Sequence, residues 1–431
     1  MIRHLPNGNS HEADLPTPYE ILSRSLHFGN HDQERWWKET GPILADALEV
    51  AEYPVHLQYQ HLLFYYRHAL PALGPYTPPT IEQVKSIIPN GAKFELSVNF
   101  QNDTSTVRFD LDPTSHLAGT ERDPFNEVMT SQMLSRLAED GGKSNNLLYH
   151  HFYNELSLSA RDMSVLQGQD AGLPISQTLA AWDLRGGAYV LKMYWFALLK
   201  SAATGISAGK LVLDAVGKVK NTQESGAFTM LKEYLVERES LDKTCLVSWD
   251  CVDPCSARLK VYNVEPDVTW TRVLDMWTLG GRLKSPATSK GIELLKLLWD
   301  CLEIPDGSHP FFDWDRPKQG EGRAAMMMNW ELHPGASVPE PKVYIPVVGE
   351  IDLQVAQRLS KFFDHIGWAR LASSYTNSLC SIFSHVDLSV SDRVITCISF
   401  AYSEKNGPYL TAYYYTTMSY PFPGARNIST E

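Results

Sequence analysis

Five pairs of alternating apolar and polar stretches constrain what this chain can fold into. In the first pair, Lys93 to Phe100 and Ser105 to Leu111 flank a short turn at Gln101 to Asp103, which is typical of a β-hairpin. The other pairs are Thr178 to Leu184 with Ala188 to Trp195, Cys245 to Val252 with Arg258 to Val264, Ala325 to Leu332 with Lys342 to Val348, and Arg393 to Tyr402 with Tyr409 to Tyr415. This repetition predicts an α+β fold, one closed antiparallel barrel inside a ring of helices.

The predicted helices carry apolar residues at helical spacing, and each is too short to form a separate core. One opens at Asp32-Gln33-Glu34-Arg35-Trp36-Trp37 and continues through Leu44, Leu48 and Ala51. The others are Leu57 to Ala69, Ala208 to Val216, Phe228 to Glu237, Ile292 to Cys301 and Leu353 to Ile366. Because no linker divides the chain, we expect a disordered, polar N-terminal arm at residues 1–18 and a single domain at residues 19–431.

Charge and cysteine usage exclude several classes of function. The net charge is −12 without a basic run, which argues against nucleic acid and membrane surfaces as partners. The six scattered cysteines predict buried free thiols, and Cys251 with Cys255 lacks further ligands at zinc spacing, so no metal is assigned. The apolar stretch from Tyr189 to Leu199 is interrupted by Lys192 and is shorter than the ~20 residues of a membrane helix. We expect a cytoplasmic protein.

Four strands that close hairpins place polar residues or cations beside tyrosines, two positions apart. The segments are Lys192-x-Tyr194, Arg258-x-Lys260-x-Tyr262, Lys342-x-Tyr344 and Tyr409-x-Thr411-x-Tyr413. Side chains two apart on a strand share a face, and the residues between them are apolar, so this face is predicted to line the barrel lumen. Arg108, between Val107 and Phe109, joins the same cluster. A single strand with this pattern could lie on a solvated surface, but four strands with the same pattern indicate a shared interior.

Cations gathered inside a barrel require an anion or acidic partners, because like charges are costly to desolvate together. A diphosphate is a suitable anion, and tyrosine rings beside it attract a carbocation through their π faces. Glu95 lies between apolar neighbours and shares a face with Ser97 and Asn99. Its carboxylate can accept a hydrogen bond from an indole N–H or take part in proton removal.

These motifs resemble the fungal indole prenyltransferases of the dimethylallyltryptophan synthase family along nearly the whole chain. Further matching segments are Leu70-Pro71-Ala72-Leu73-Gly74-Pro75, Glu95-Leu96-Ser97-Val98-Asn99, Thr106-Val107-Arg108, Asp123-Pro124-Phe125-Asn126, Trp277-Thr278-Leu279-Gly280-Gly281 and Pro341-Lys342-Val343-Tyr344. The resemblance implies an ABBA-type barrel of ten antiparallel strands. It implies an enzyme of secondary metabolism that moves a dimethylallyl group from dimethylallyl diphosphate to a small-molecule indole acceptor by Friedel–Crafts alkylation. No cofactor is required, Mg²⁺ is optional, and a homodimer is left open.

The same resemblance implies a role for each candidate residue. Glu95 hydrogen-bonds the indole nitrogen. The diphosphate ligands are Arg108, Lys192, Arg258 and Lys260, and the cation shield is Tyr194, Tyr262, Tyr344 and Tyr413, with Tyr409 as a neighbour. Lys342 stands where many members carry glutamine and adds a diphosphate contact. Members that alkylate C4 of free tryptophan carry a lysine near Thr178 and Leu179, and its absence from this chain argues against that regiochemistry. A tryptophan-derived cyclic dipeptide or another indole alkaloid is the favoured acceptor.

Three alternatives stay open: a phenolic acceptor, a class I terpene cyclase and a lipocalin-like binding barrel without catalysis. The segment Asn102 to Thr106, with Asp110, is close to the magnesium motif of terpene cyclases, but it crosses a hairpin turn and has no aspartate-rich partner. His56, His61 and His68 lack the i, i+4 spacing of a metal pair and are interpreted as structural. Met326 to Met328 either fill space or line the acceptor site.

Overall fold

The structure, a computed structural model, describes residues 15–76, 87–88, 92–139, 144–167, 173–220, 222–309 and 324–416. Residues 1–14 of the predicted N-terminal arm lie outside these ranges. Helix α1 begins at Pro18, inside the predicted arm, because Thr17 and Glu20 form a capping box in which each side chain accepts a hydrogen bond from the other residue's backbone N–H.

Helices surround a central sheet along the described chain. They are α1 Pro18–Ser25, α2 His31–Val50, α3 Val55–Phe64, α4 Val128–Glu139, α5 Leu147–Leu156, α6 Ala160–Leu166, α7 Leu198–Thr204, α8 Ala208–Gly217, α9 Gly226–Glu237, α10 Trp270–Trp277, α11 Pro286–Leu302, α12 Asp352–His365 and α13 Ala369–Ile382. The predicted helix from Leu57 to Ala69 is α3 followed by a π-helical turn, Tyr65–Ala69. The helices α1, α4 to α7, α10 and α13 were not predicted.

The strands form five antiparallel hairpins, as the alternating pattern predicts. They are β1 Phe94–Gln101, β2 Thr104–Leu111, β3 Thr178–Arg185, β4 Ala188–Phe196, β5 Thr244–Asp250, β6 Leu259–Glu265, β7 Asp267–Val268, β8 Gly307–Ser308, β9 Met326–Leu332, β10 Glu340–Pro346, β11 Ile395–Ser403 and β12 Gly407–Tyr415. Ten of them close into a barrel in the order β1-β12-β11-β10-β9-β6-β5-β4-β3-β2, while β7 and β8 form a separate small sheet. The prediction of a closed ten-strand barrel inside helices is confirmed.

The outer face of the barrel packs against the helices and forms the main hydrophobic core. On β3, β4, β5 and β9 this face presents a buried tryptophan, respectively Trp182, Trp195, Trp249 and Trp330. Phe109 on β2 stacks on Trp182 at 5.2 Å between ring centroids. Alternate residues of the same strands belong to a second apolar cluster in the lumen. Because strand side chains alternate between faces, covering the outside with helices directs every second residue inward.

The turn between β1 and β2 contacts the start of α13. Asn102 and Asp103 occupy the β1–β2 turn with positive φ, and the Asp103 carboxylate accepts hydrogen bonds from the backbone N–H groups of Arg370 and Leu371 at the start of α13. Asp103 is thus a helix cap.

All six cysteines are free, but the expectation that they are buried is wrong for Cys255 and Cys380, which are exposed.

Candidate active site

The lumen face repeats on every second strand of the barrel. On β2, β4, β6, β10 and β12, a polar residue is followed two positions later by an aromatic or acidic one. The pairs are Arg108 and Asp110, Lys192 and Tyr194, Lys260 and Tyr262, Lys342 and Tyr344, and Thr411 and Tyr413. We call the first members, which are four cations and Thr411, the cation layer. We call the second members, which are four tyrosines and Asp110, the belt.

The strand register joins these pairs into two closed rings. Lys192 is level with Ala181 of β3, which is level with Asp110 of β2. Likewise, Lys260 is level with Ser248 of β5, and Ser248 is level with Tyr194. The same relation holds around the rest of the barrel, where a first member on one strand is level with the second member on the next strand of the set. Lys342 is level with Tyr262, Thr411 with Tyr344 and Arg108 with Tyr413. Strand tilt thereby makes one sequence repeat into two rings.

Four tyrosines occupy successive places in the belt. Ring centroids lie 6.1 Å apart between Tyr194 and Tyr262, 6.0 Å between Tyr262 and Tyr344, and 5.8 Å between Tyr344 and Tyr413. The Tyr344 hydroxyl accepts a hydrogen bond from Asn329 Nδ2 at 2.9 Å, and the Tyr262 hydroxyl lies 3.3 Å from Ser248 Oγ. Burial raises the pKa of Tyr194, Tyr344 and Tyr413 well above the ordinary value, so these phenols stay neutral and offer a cation their ring electrons.

Three carboxylates accompany the cations, one on each first strand of the middle three hairpins. By register, Asp183 is level with Arg108, Asp250 with Lys192, and Glu331 with Lys260. Asp183 Oδ1 lies 2.5 Å from Arg108 Nε, and Asp183 Oδ2 lies 2.6 Å from Lys192 Nζ. Burial alone would raise the pKa of Asp183, but these two cations hold it well below its usual range.

The carboxylates were missed by the sequence analysis, which allowed for acidic partners without naming them. A signal was present. Asp183, Asp250 and Glu331 each lie near the end of the first strand of a hairpin, at alternating positions that share a face with lumen residues. They explain how the cations fold into a closed interior before any ligand binds, because each buried charge needs a counter-charge.

Lys342 lacks such a counter-charge, because the residue level with it on β11 is Ala401. Its Nζ lies 3.4 Å from Thr411 Oγ1, 5.4 Å from the Tyr344 ring centroid and 4.9 Å from that of Tyr409. No carboxylate of the described residues lies within ion-pair distance. Burial, followed by the nearby Arg108, lowers the pKa of Lys342 well below that of a free lysine. An incoming anion would supply the missing partner.

Lys192 is perturbed in the same direction. Burial and the charge of Arg108 lower its pKa to about 7, with Asp183 opposing them. Near neutral pH, the cation layer therefore contains lysines that an anion can recharge. This arrangement suits a ligand that brings its own negative charge.

Arg258 and Tyr409 lie toward the barrel rim, two residues before Lys260 and Thr411 on their strands. Arg258 Nε lies 2.7 Å from Asp250 Oδ2, and its Nη1 lies 2.9 Å from Glu331 Oε2. Its guanidinium is partly exposed, unlike the ammonium groups of Lys192 and Lys260. The rim therefore offers a donor that an entering anion meets before the buried cations.

Beyond the belt lies an apolar floor that holds Glu95. Four of its residues are each level with the belt on one neighbouring strand and two residues past the belt on the other: Glu95, Leu246, Met327 and Cys397. Leu179, level with Tyr194, belongs to the same floor. Glu95, Tyr194 and Met327 remain partly accessible although their strand neighbours are buried, and Cys397 is also partly accessible, which indicates open space between them. Burial and the neighbouring Asp110 raise the pKa of Glu95 well above the ordinary value. Met327 lines this space, whereas Met326 and Met328 face the outer core.

One group of metal-ligand residue types comes together within the described ranges. Ligand atoms of Glu331, His333 and Glu340 lie within 4.8 Å of one another near the rim. Glu331 is already paired with Arg258. The Glu340 carboxylate, 3.4 Å from His333 Nε2, raises the pKa of His333, which favours an imidazolium ion over a metal ligand. The described helices include none that is both long and apolar enough to cross a membrane.

Comparisons with known proteins identify the family of this chain. Residues 32–378 match the family model described as tryptophan dimethylallyltransferase. A reverse prenyltransferase from Aspergillus cristatus is 38% identical, with 96% of this chain and 97% of the relative covered. A deoxybrevianamide E synthase from an Aspergillus species is 35% identical, with 94% and 92% covered.

Two solved structures share the fold. The crystal structure of NotF with brevianamide F and DMSPP has a TM-score of 0.83 at 33% identity and covers 94% of this chain and 100% of that chain. The structure of AnaPT from Neosartorya fischeri has a TM-score of 0.84 at 30% identity, covering 93% and 98%. The fold and the site define a prenyltransferase barrel. The chain belongs to the tryptophan dimethylallyltransferase family, as the sequence motifs indicated.

Proposed function

We propose that this prenyltransferase moves a dimethylallyl group from dimethylallyl diphosphate to the indole ring of a tryptophan-containing cyclic dipeptide. The observation that carries the proposal is the stacking of two rings, a cation layer directly beside a belt of four tyrosines. An allylic diphosphate that spans them places its leaving group among cations and its carbon chain among π faces. Both charges that form on ionisation are then stabilised by groups already in position.

The roles proposed for individual residues follow from their layers. The cations Arg108, Lys192, Arg258, Lys260 and Lys342 bind the diphosphate. The tyrosines Tyr194, Tyr262, Tyr344 and Tyr413 shield the allylic cation from water, and Tyr409 borders the diphosphate end, where its ring lies beside Lys342. Glu95 on the floor accepts the indole N–H, which directs the ring toward the belt. Relatives support these substrates, because NotF was crystallised with brevianamide F and DMSPP.

A direct assay tests the proposal. The purified protein is incubated with dimethylallyl diphosphate and EDTA, with brevianamide F, tryptophan-containing cyclic dipeptides, free tryptophan or a phenol as acceptor, and products are identified by mass spectrometry and NMR. We expect a monoprenylated indole product in the presence of EDTA, because the cations already neutralise the leaving group. Prenylation of phenols alone would favour the alternative acceptor class, and no product in any reaction, with or without Mg²⁺, would refute the proposal.

Diphosphate affinity should fall as the pH rises above neutrality. The pKa of Lys192 is about 7 in the empty site, and a bound anion favours its charged form, so binding above pH 7 must take up a proton. Linkage then predicts a loss of up to about tenfold in affinity per pH unit for each proton taken up. Lys342 shifts in the same direction and adds to the effect.

Calorimetry with DMSPP between pH 7 and 9, in buffers of different ionisation enthalpy, measures this proton uptake. Lys192→Arg keeps a permanent charge at the position and should flatten the pH dependence. Binding at pH 8 without proton uptake would show that Lys192 is already charged in the free protein.

A further inference from the structure

The belt has five places, and the fifth is held by a carboxylate. Tyrosines occupy the places on β4, β6, β10 and β12, whereas β2 contributes Asp110. The register fixes this position from both sides. Asp110 is level, through Ala181, with the cation that precedes Tyr194, and Arg108, two residues before Asp110, is level through Ser97 with Tyr413.

The Asp110 carboxylate therefore borders the space in which the belt would hold an allylic cation. Its side chain is 7% exposed, and its Oδ1 atom is buried without a hydrogen-bond partner among the described residues. By contrast, Asp183 and Asp250 are bound by Arg108, Lys192 or Arg258. A buried carboxylate oxygen without a hydrogen-bond partner lowers the stability of the fold, so its presence points to a function.

We propose that Asp110 is the proton acceptor that restores aromaticity to the alkylated indole. This inference rests on the proposed transfer to an indole ring carbon that carries hydrogen. The C–O bond of the donor breaks, and its electron pair leaves with the diphosphate. A π pair of the ring forms the new C–C bond, the C–H bond at that carbon then breaks, its electrons return to the ring, and the proton moves to Asp110 Oδ1. Asp110 later releases the proton to solvent as the products leave.

The other groups around the belt are poor proton acceptors. Burial keeps the phenols of Tyr194, Tyr344 and Tyr413 neutral. The bound diphosphate favours the protonated forms of Lys192 and Lys342, and Arg108 keeps its proton, so none of these three groups accepts another. Glu95 is level with Asp110 on the adjacent strand but lies on the floor, where the indole N–H occupies it. Two adjacent buried carboxylates in different surroundings thus take two different roles.

Burial and nearby charges together make the Asp110 carboxylate suitable as a proton acceptor. Burial raises its pKa to about 6, and Arg108 and Lys192 oppose a larger shift. Asp110 is therefore mostly ionised at neutral pH, while its basicity exceeds that of an ordinary aspartate. A general base works best when its pKa lies close to the operating pH.

Asp110→Asn tests the proposal, because it keeps the shape of the side chain and removes its basicity. We expect turnover to fall about 10²-fold, the size of a general-base contribution. Proton loss should become rate-limiting, so an acceptor deuterated at the alkylated carbon should show a primary isotope effect absent from the wild type. Dimethylallyl diphosphate labelled with ¹⁸O at the bridging position should also scramble its label, because the ring cation reverts before it loses its proton.

Two further variants separate this role from a structural one. In Asp110→Ala, added formate should restore part of the turnover by acting as the missing base. Asp112→Asn, which alters a buried carboxylate two residues along the chain that pairs with Lys93 at 2.9 Å, should change stability without creating an isotope effect.

The outcomes distinguish this inference from the proposed function. If the wild type transfers no prenyl group, the proposed function fails. If the wild type is active and Asp110→Asn keeps its turnover, or loses it without an isotope effect, label scrambling and rescue by formate, only the role of Asp110 is overturned. A product alkylated at nitrogen or at a ring carbon without hydrogen would also overturn it, because no such proton is released.

Discussion

Arg108→Leu is expected to lower kcat/KM for prenyl transfer by about 10³, since removal of one preorganised charge donor from a developing anion costs this much in other enzymes. Arg108 lies in the cation layer, level with both Asp183 and Ser97, and is almost fully buried. Its loss removes a proposed diphosphate ligand and also leaves Asp183 with fewer partners. Steady-state kinetics with dimethylallyl diphosphate and calorimetry with DMSPP measure the two effects.

A double variant separates catalysis from folding. Breaking a buried ion pair from one side costs about 3–5 kcal/mol of stability, so Arg108→Leu should also unfold at a lower temperature. Adding Asp183→Asn should recover much of that stability but none of the transfer activity. As a control, Arg272→Leu removes a mostly buried guanidinium that lies 2.7 Å from Glu265 outside the lumen, and it should affect stability alone. Near-wild-type transfer by Arg108→Leu would place the diphosphate elsewhere.

Glu95→Gln should reduce turnover with an indole acceptor by about 10³ while leaving DMSPP binding largely intact, because the role proposed for the Glu95 carboxylate is to stabilise the developing charge of the ring and not to bind the diphosphate. Glu95 lies on the floor, separated from the cation layer by the belt. The raised pKa of Glu95 means that its ionised form increases with pH, so wild-type kcat/KM for the acceptor, measured at saturating dimethylallyl diphosphate, should rise with pH through that ionisation. The Gln variant should lose the part of this rise that Glu95 contributes.

An N-methylated acceptor provides the matched substrate control. It has no indole N–H to donate, so the wild type should use it as poorly as Glu95→Gln uses the unmodified acceptor, and the variant should lose little more. Equal turnover by wild type and Glu95→Gln on the unmodified indole would remove Glu95 from the proposed role. Loss of DMSPP binding in the variant would instead assign Glu95 to the donor site.

The sequence by itself determined the barrel, because strand residues alternate with a period of two and the five hairpin patterns each span enough residues to show it. It also determined which residues face inward. Lys192, Lys260 and Lys342 each precede a tyrosine by two positions, so the two side chains share a face whatever the surrounding structure. The helices α4 to α7 were missed, because their short amphipathic patterns are weaker signals than alternating strands.

Only the tertiary structure decided how the hairpins align with one another. Register between strands that are distant in sequence depends on barrel closure and strand tilt, which no local pattern encodes. That register places Asp183 beside Arg108 and Lys192, leaves Lys342 opposite Ala401, and completes a belt of four tyrosines with Asp110. The sequence contains all of these residues, but the closure of the barrel decides which of their charges are paired and which are left without a partner.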